Sequence, residues 1–273
     1  MFSFGSKYMG SVLLHNISEN IYYLVIGKYF TALQLGYYTR AQSFSNLFSF
    51  NINHIISRVS YPVLSKLQDD NLKLKMGFRL LVKDTMFITF FTLMILAAIA
   101  EPLIITLIGE KWRNSIPYLQ LLCFASILIP LHLLNLNILL VKGRSDKYLT
   151  VTIINKLFII PVIYIGILYG IFIMIIGMIV QTIIAYFIIG TSAGKMINYP
   201  VLEQVTDITP NFLLSLMTGL LIYSLTIFIN TTPMIILSIQ LIISFIIIII
   251  TAEITKMNSY LEFKKIILSK INK

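Results

Sequence analysis

Acidic side chains are scarce in this chain, with 11 Asp and Glu among 273 residues against 21 Lys and Arg. Charge of either sign is only 12 % of the composition, too little to clothe a soluble body of this size in polar surface. Cysteine occurs once, Cys123, inside an apolar run, so neither a disulfide framework nor a cysteine metal site is available. Histidine occurs three times, as His15, His54 and His132, without ligand spacing, and no metal or cofactor is expected. No Gly-rich phosphate loop, HExxH or nucleophile elbow is present, so the residues offer no enzyme signature.

What the chain has is hydrophobicity: 58 % of residues, with mean hydropathy +0.88. From Thr85 to Ile108 the single charge is Glu101. A helix rises about 1.5 Å per residue and a hydrocarbon core is about 30 Å thick, so such a run spans a bilayer. The pattern predicts an all-α polytopic membrane protein with about eight helices, over 8–28, 42–61, 85–108, 116–140, 149–168, 171–193, 210–229 and 234–254. The substantial loops are 62–84 and 194–209. Met1 to Gly27 mixes apolar residues with His15, Asn16, Glu19 and Asn20 and does not read as a cleavable signal peptide.

The net charge of +10 follows the spans instead of marking a nucleic-acid partner. Lys28, Arg40, Lys111 and Arg113 fall on one side of the membrane, and the remaining basic residues on the other. That bias places both termini in the cytoplasm. The tail after residue 255 carries lysines beside an apolar face, which suits either an amphipathic segment on the inner leaflet or a frayed basic end.

Polar residues concentrate in the first two spans. His15, Asn16, Glu19, Asn20 and Tyr23 fall on one helical face. Gln42, Asn46, Ser49, Asn53, Ser57 and Ser60 repeat the pattern, flanked by His54 and Arg58. Hydrocarbon penalises such groups, so both faces are expected to border a hydrated cleft. Single serines have an ordinary alternative in hydrogen bonds between helices. Arg58 has another, reaching lipid phosphates from near a helix end. Pro130, followed by His132, Asn135 and Asn137, predicts a kinked fourth span. Lys156 either reaches the interface or projects into the cleft. Glu19, and less readily Glu101, are candidates for coupling an ion, and Glu101 has basic residues on its own side as an alternative.

Several strings resemble Wzx-like polysaccharide flippases of the multidrug/oligosaccharidyl-lipid/polysaccharide exporter superfamily. They include Leu-Gly-Tyr-Tyr-Thr-Arg-Ala (35–41), Arg-Val-Ser-Tyr-Pro-Val-Leu-Ser-Lys-Leu-Gln-Asp-Asp (58–70), Ala-Glu-Pro-Leu (100–103) and Gly-Glu-Lys-Trp (109–112). Ile-Pro-Tyr-Leu-Gln-Leu-Leu (116–122), Pro-Leu-His-Leu-Leu-Asn-Leu-Asn (130–137) and Lys-Gly-Arg-Ser-Asp (142–146) follow in order. The resemblance, over about residues 2–195, implies a bacterial inner-membrane transporter of two six-helix lobes that carries a polyprenyl-pyrophosphate-linked oligosaccharide. This chain then supplies the second lobe (1–195), a connector (196–209), two additional helices (210–254) and a basic tail (255–273). The first lobe is expected from a separate polypeptide, or the chain is a truncated product. Membrane lipids and other polysaccharide-assembly proteins are the further partners implied. The cleft candidates are His15, Asn16, Glu19, Asn20, Tyr23, Arg40, Asn46, Asn53, His54, Arg58, Asn135 and Lys156. Competing readings are a drug/cation antiporter of the same superfamily, a non-functional remnant, and a membrane glycosyltransferase or polymerase, for which the outward loops are short.

Overall fold

The computed structural model describes residues 20–229 and 231–255. Among these every regular element is helical. Residues 20–29 form α1, followed by α2 (Ala32–Ser65), α3 (Asn71–Ala98), α4 (Ala100–Ile108) and a 3-10 turn, Glu110–Ser115. Then come α5 (Ile116–Ser126), α6 (Ile129–Val141), α7 (Ser145–Leu157), α8 (Ile159–Tyr169), α9 (Ile171–Gly194), α10 (Val201–Phe228) and α11 (Pro233–Ile254). Joined end to end across their breaks, they make eight rods, six of them long and apolar enough to cross a membrane. The chain is a multi-pass membrane protein.

The joints inside rods have one cause. Proline lacks an N–H and clashes with the carbonyl four residues back. Helix α3 ends at Ala98, four before Pro102; α5 ends at Ser126, four before Pro130; α7 ends at Leu157, four before Pro161. The kink expected at Pro130 is present, and two others accompany it. Pro62 and Pro210 lie within α2 and α10 without ending them.

Helix α2 packs on α3, α5 and α6, and α9 packs on α5, α6 and α8. On the other flank, α10 lies along α3, and α11 packs on α4 and α10. Trp112 marks one rim of the bundle and Lys195 the other. At the Trp112 rim α8 turns directly into α9 through Gly170, whose φ of 101° admits glycine readily.

Two expected loops are instead helix. Helix α3 starts at Asn71, where the Asp70 carboxylate accepts from the N–H groups of Leu72 and Lys73 at 3.0 and 3.1 Å. Helix α10 starts at Val201, so the connector expected over 196–209 shrinks to the turn between α9 and α10. The extensions face one another. Lys75 Nζ lies 2.9 Å from Glu203, Arg79 Nη2 donates to Asp207 at 2.7 Å, and Lys83 Nζ lies 3.1 Å from Asp207. The Tyr199 hydroxyl donates to the other Asp207 oxygen at 2.7 Å, and burial together with that carboxylate pushes the phenol well above its usual range.

Candidate functional site: the open face of α2

Helix α2 is 34 residues long, about 50 Å at 1.5 Å per residue, and has two dissimilar sides. Tyr38, Ala41, Ser45, Ser49, Ile56, Ser60 and Leu64 are buried against the bundle. Arg40, Ser43, Asn46, Asn51, His54, Ser57, Arg58 and Tyr61 are exposed along the opposite side. Leu47 and Phe50 share that side at 60 % and 69 % exposure, so the wall is mixed, with Phe50 stacked on the His54 ring. Asn53 is half-buried at the border, and its buried Oδ1 has no partner among the described residues.

The serines divide as their chemistry allows. Ser49 donates to Ser45 O and Ser60 to Ile56 O, each satisfying itself one turn back, and Asn137 Nδ2 donates to Ser60 at 2.6 Å. Ser49 and Ser60 are therefore packing contacts and leave the expected cleft face. Asn46 remains on it, accepting from Gln42 Nε2 at 2.7 Å.

Arg40 and Arg58 are 18 residues, five turns, apart, so they share one azimuth at a separation of about 27 Å. Neither has a carboxylate partner among the described residues. The Arg40 guanidinium lies 5.2 Å over the Trp112 ring, which Tyr37 meets edge-on.

Other sequence candidates go elsewhere. Asn135 is wholly buried, donating to Leu131 O and to Gln204 Oε1 at 3.1 Å, so it belongs to the packed interior and not to a cleft. Glu101 takes a 2.6 Å contact from Arg113, which also pairs with Glu110, making it part of a rim ion pair. Lys156 is half-buried on α7, which packs on α6, α8 and α9. Tyr23 packs edge-on against Tyr38, and Asn20 is exposed. His15, Asn16 and Glu19 lie outside the described residues, as does the basic tail. Among the described residues no cluster of three or more His, Cys, Asp or Glu is placed to hold a metal. Sequence reading missed Glu203 and Asp207 as partners of α3; basic residues at 75, 79 and 83 beside acids at 203 and 207, all at i+4 spacing, were the available signal.

Residues 1–117 match the family model described as "Polysaccharide biosynthesis protein". The chain is 32 % identical over 145 residues to "Teichuronic acid biosynthesis protein TuaB" of Bacillus subtilis (strain 168), covering 53 % of this chain and 30 % of that one. It is 29 % identical over 163 residues to "Lipopolysaccharide biosynthesis protein WzxC" of Escherichia coli (strain K12), covering 60 % and 33 %. The matches thus span about a third of the length of these relatives. Among solved structures, "Lipid II flippase MurJ, inward closed conformation" superposes with TM-score 0.72 at 17 % identity, over 90 % of this chain and 52 % of that one. The chain is therefore an all-helical membrane protein that resembles Wzx-like polysaccharide biosynthesis proteins and has the fold of about half of that solved flippase.

Proposed function

We propose that this chain forms one lobe of a flippase that moves a polyprenyl-pyrophosphate-linked oligosaccharide across the bacterial inner membrane, with its termini in the cytoplasm. It acts as a transporter and not as an enzyme, alongside a second lobe supplied by the same or another polypeptide. A sugar head group and its diphosphate cannot cross hydrocarbon without replacement hydrogen bonds. Ser43, Asn46, Asn51 and Ser57 on α2 offer these, and the lipid tail stays in the bilayer. By sequence, His15, Asn16 and Glu19 add polar groups to the preceding apolar stretch, and Glu19 is the candidate for coupling an ion.

The observation that carries this reading is the open side of α2, where Arg40 and Arg58, aligned five turns apart, meet no carboxylate among the described residues. An anion crossing the membrane meets one guanidinium near each end of the same face. Restoration of surface polysaccharide in a host lacking its flippase, with a matching lobe co-expressed, tests the proposal. Arg58→Ala and Arg40→Ala are each expected to cut polysaccharide about tenfold or more, since a hydrogen bond to a charged group is worth roughly 1.5–3 kcal/mol. Unchanged polysaccharide at equal membrane abundance would remove the two arginines from the pathway.

A further inference from the structure

Helix lengths place the three proline joints at similar depth, with the α3/α4 joint reached by Gln120, six residues nearer the Trp112 rim than the end of α5. A short helix joins each break to the Trp112 rim: α4 of 9 residues and α8 of 11 after their breaks, and α5 of 11 before its own. The breaks therefore sit about 14–17 Å below that rim. Helix α9 crosses the same level unbroken, and its Gln181 and Thr182 are its eleventh and twelfth residues from that rim.

Side chains from neighbouring helices reach the carbonyls beside all three breaks. Gln120 Nε2 of α5 donates to Ala97 O at 3.3 Å, beside the α3/α4 joint. Thr182 Oγ1 donates to Ala125 O at 3.1 Å, beside the α5/α6 joint, while His132 Nε2 bonds the Thr182 carbonyl from the far side of that joint at 3.0 Å. Gln181 Nε2 donates to Asn155 O at 3.2 Å, beside the α7/α8 joint. Breaks within a membrane persist where neighbours supply polar partners beside them, and here two adjacent residues of one straight helix bond carbonyls one or two residues before those that Pro130 and Pro161 strip.

The helices bearing the candidate wall join the same layer. Tyr22 of α1 donates to Gln181 Oε1 at 3.2 Å, and Ser45 of α2 lies 3.4 Å from Ser126, the last residue of α5, oxygen to oxygen. Gln181 is thus bonded to α1 on one side and to the α7/α8 joint on the other.

We infer that this layer is a hinge plane within the lobe: the Trp112-rim segments α4, α5 and α8 pivot against the Lys195-rim half, with Gln181 and Thr182 as positioning residues that couple the joints to α9 and to the wall helices. The lobe bends at mid-depth instead of moving as one rigid body. The inference concerns the lobe's mechanics and does not depend on which substrate is carried.

Distances between spin labels, measured in the full chain reconstituted in lipid nanodiscs on a Cys123→Ala background, test it. One pair replaces the exposed Lys111 and Tyr169 at the Trp112 rim, and the other replaces Lys73 and Lys195 at the opposite rim. The Trp112-rim pair is expected to show two distances and the opposite pair one. Thr182→Val or Gln181→Leu shifts the ratio of the two distances about threefold, the factor one membrane hydrogen bond of average strength commands. Thr182→Ser, which keeps the donor, restores it. Pro130→Ala with Pro161→Ala, which returns the missing N–H groups, collapses the pair toward one distance. Tyr22→Phe, which removes the bond to Gln181 without touching a joint carbonyl, moves the ratio in the same direction as Gln181→Leu. A single unchanging distance at the Trp112 rim overturns the inference, as do equal changes at both rims, which indicate a rigid or generally loosened lobe. A response to Gln181→Leu without any to Tyr22→Phe overturns the coupling to α1.

Discussion

Ser45 and Asn46 are adjacent in sequence and opposite in environment: Ser45 is wholly buried against α5, while Asn46 is exposed. Both are polar residues in one helix, and only packing separates them. Serine conceals its hydroxyl by bonding one turn back, as Ser49 and Ser60 do, whereas an Asn or Arg at the same place needs outside partners. Asn46, His54, Ser57 and Arg58 were therefore legible as an open face, whereas Ser49 and Ser60 were not. Close approach is equally invisible to sequence. A Cβ on Gly194 would collide with the Tyr199 carbonyl, and backbone cannot step aside as a flexible side chain can. Gly194→Ala is expected to cost about 1–3 kcal/mol, seen as a lower midpoint of thermal unfolding in detergent. Gly170→Ala, with open space around it, is expected to suffer only the backbone penalty of its φ of 101° and ψ of 168°, about 1–3 kcal/mol.

At the scale of elements, charge misled the reading of 62–84 and 194–209. Lys73, Lys75, Arg79 and Lys83 interrupt an apolar window, and so do Glu203 and Asp207, so each stretch in isolation reads as a loop. Together they are the first turns of α3 and α10, laid side by side with their charges paired. A helix whose polar residues are satisfied by another helix carries no such sign in its own window. Asp207 is 8 % exposed and its cationic partners about 42 %, so solvent screens the pairing and holds its worth to about 1 kcal/mol. Asp207→Asn is expected to loosen α10 from α3, read as faster amide exchange over 201–207 and 71–80. Arg79→Asp combined with Asp207→Arg recovers part of the loss in a double-mutant cycle. Equal exchange in Asp207→Asn and the parent would show that apolar packing alone holds the two helices. The prolines, by contrast, were legible: each break falls where removal of one N–H dictates. What remained hidden was that α9 supplies donors beside two of the joints.

For the whole molecule, the number of rods followed from hydrophobic runs, because a bilayer permits few alternatives to a spanning helix. Six rods meet that test directly, while α2, the polar one, falls short of it and is held by its neighbours. One side of α2 is left uncovered by the described residues, and on the proposed reading that side faces a second body across water. The superposition on about half of a solved flippase accords with that placement in fold alone. The most direct measurement is reaction of single cysteines along α2 with a membrane-impermeant thiol reagent, on a Cys123→Ala background in intact cells supplying the matching lobe. Cysteines replacing Ser43, Asn46, His54 and Ser57 are expected to react, and those replacing Ser45, Ser49, Ile56 and Ser60 to remain inert. Inertness of the first set, with those positions instead reacting with lipid-soluble reagents, would contradict a hydrated wall on α2 and with it the proposed path.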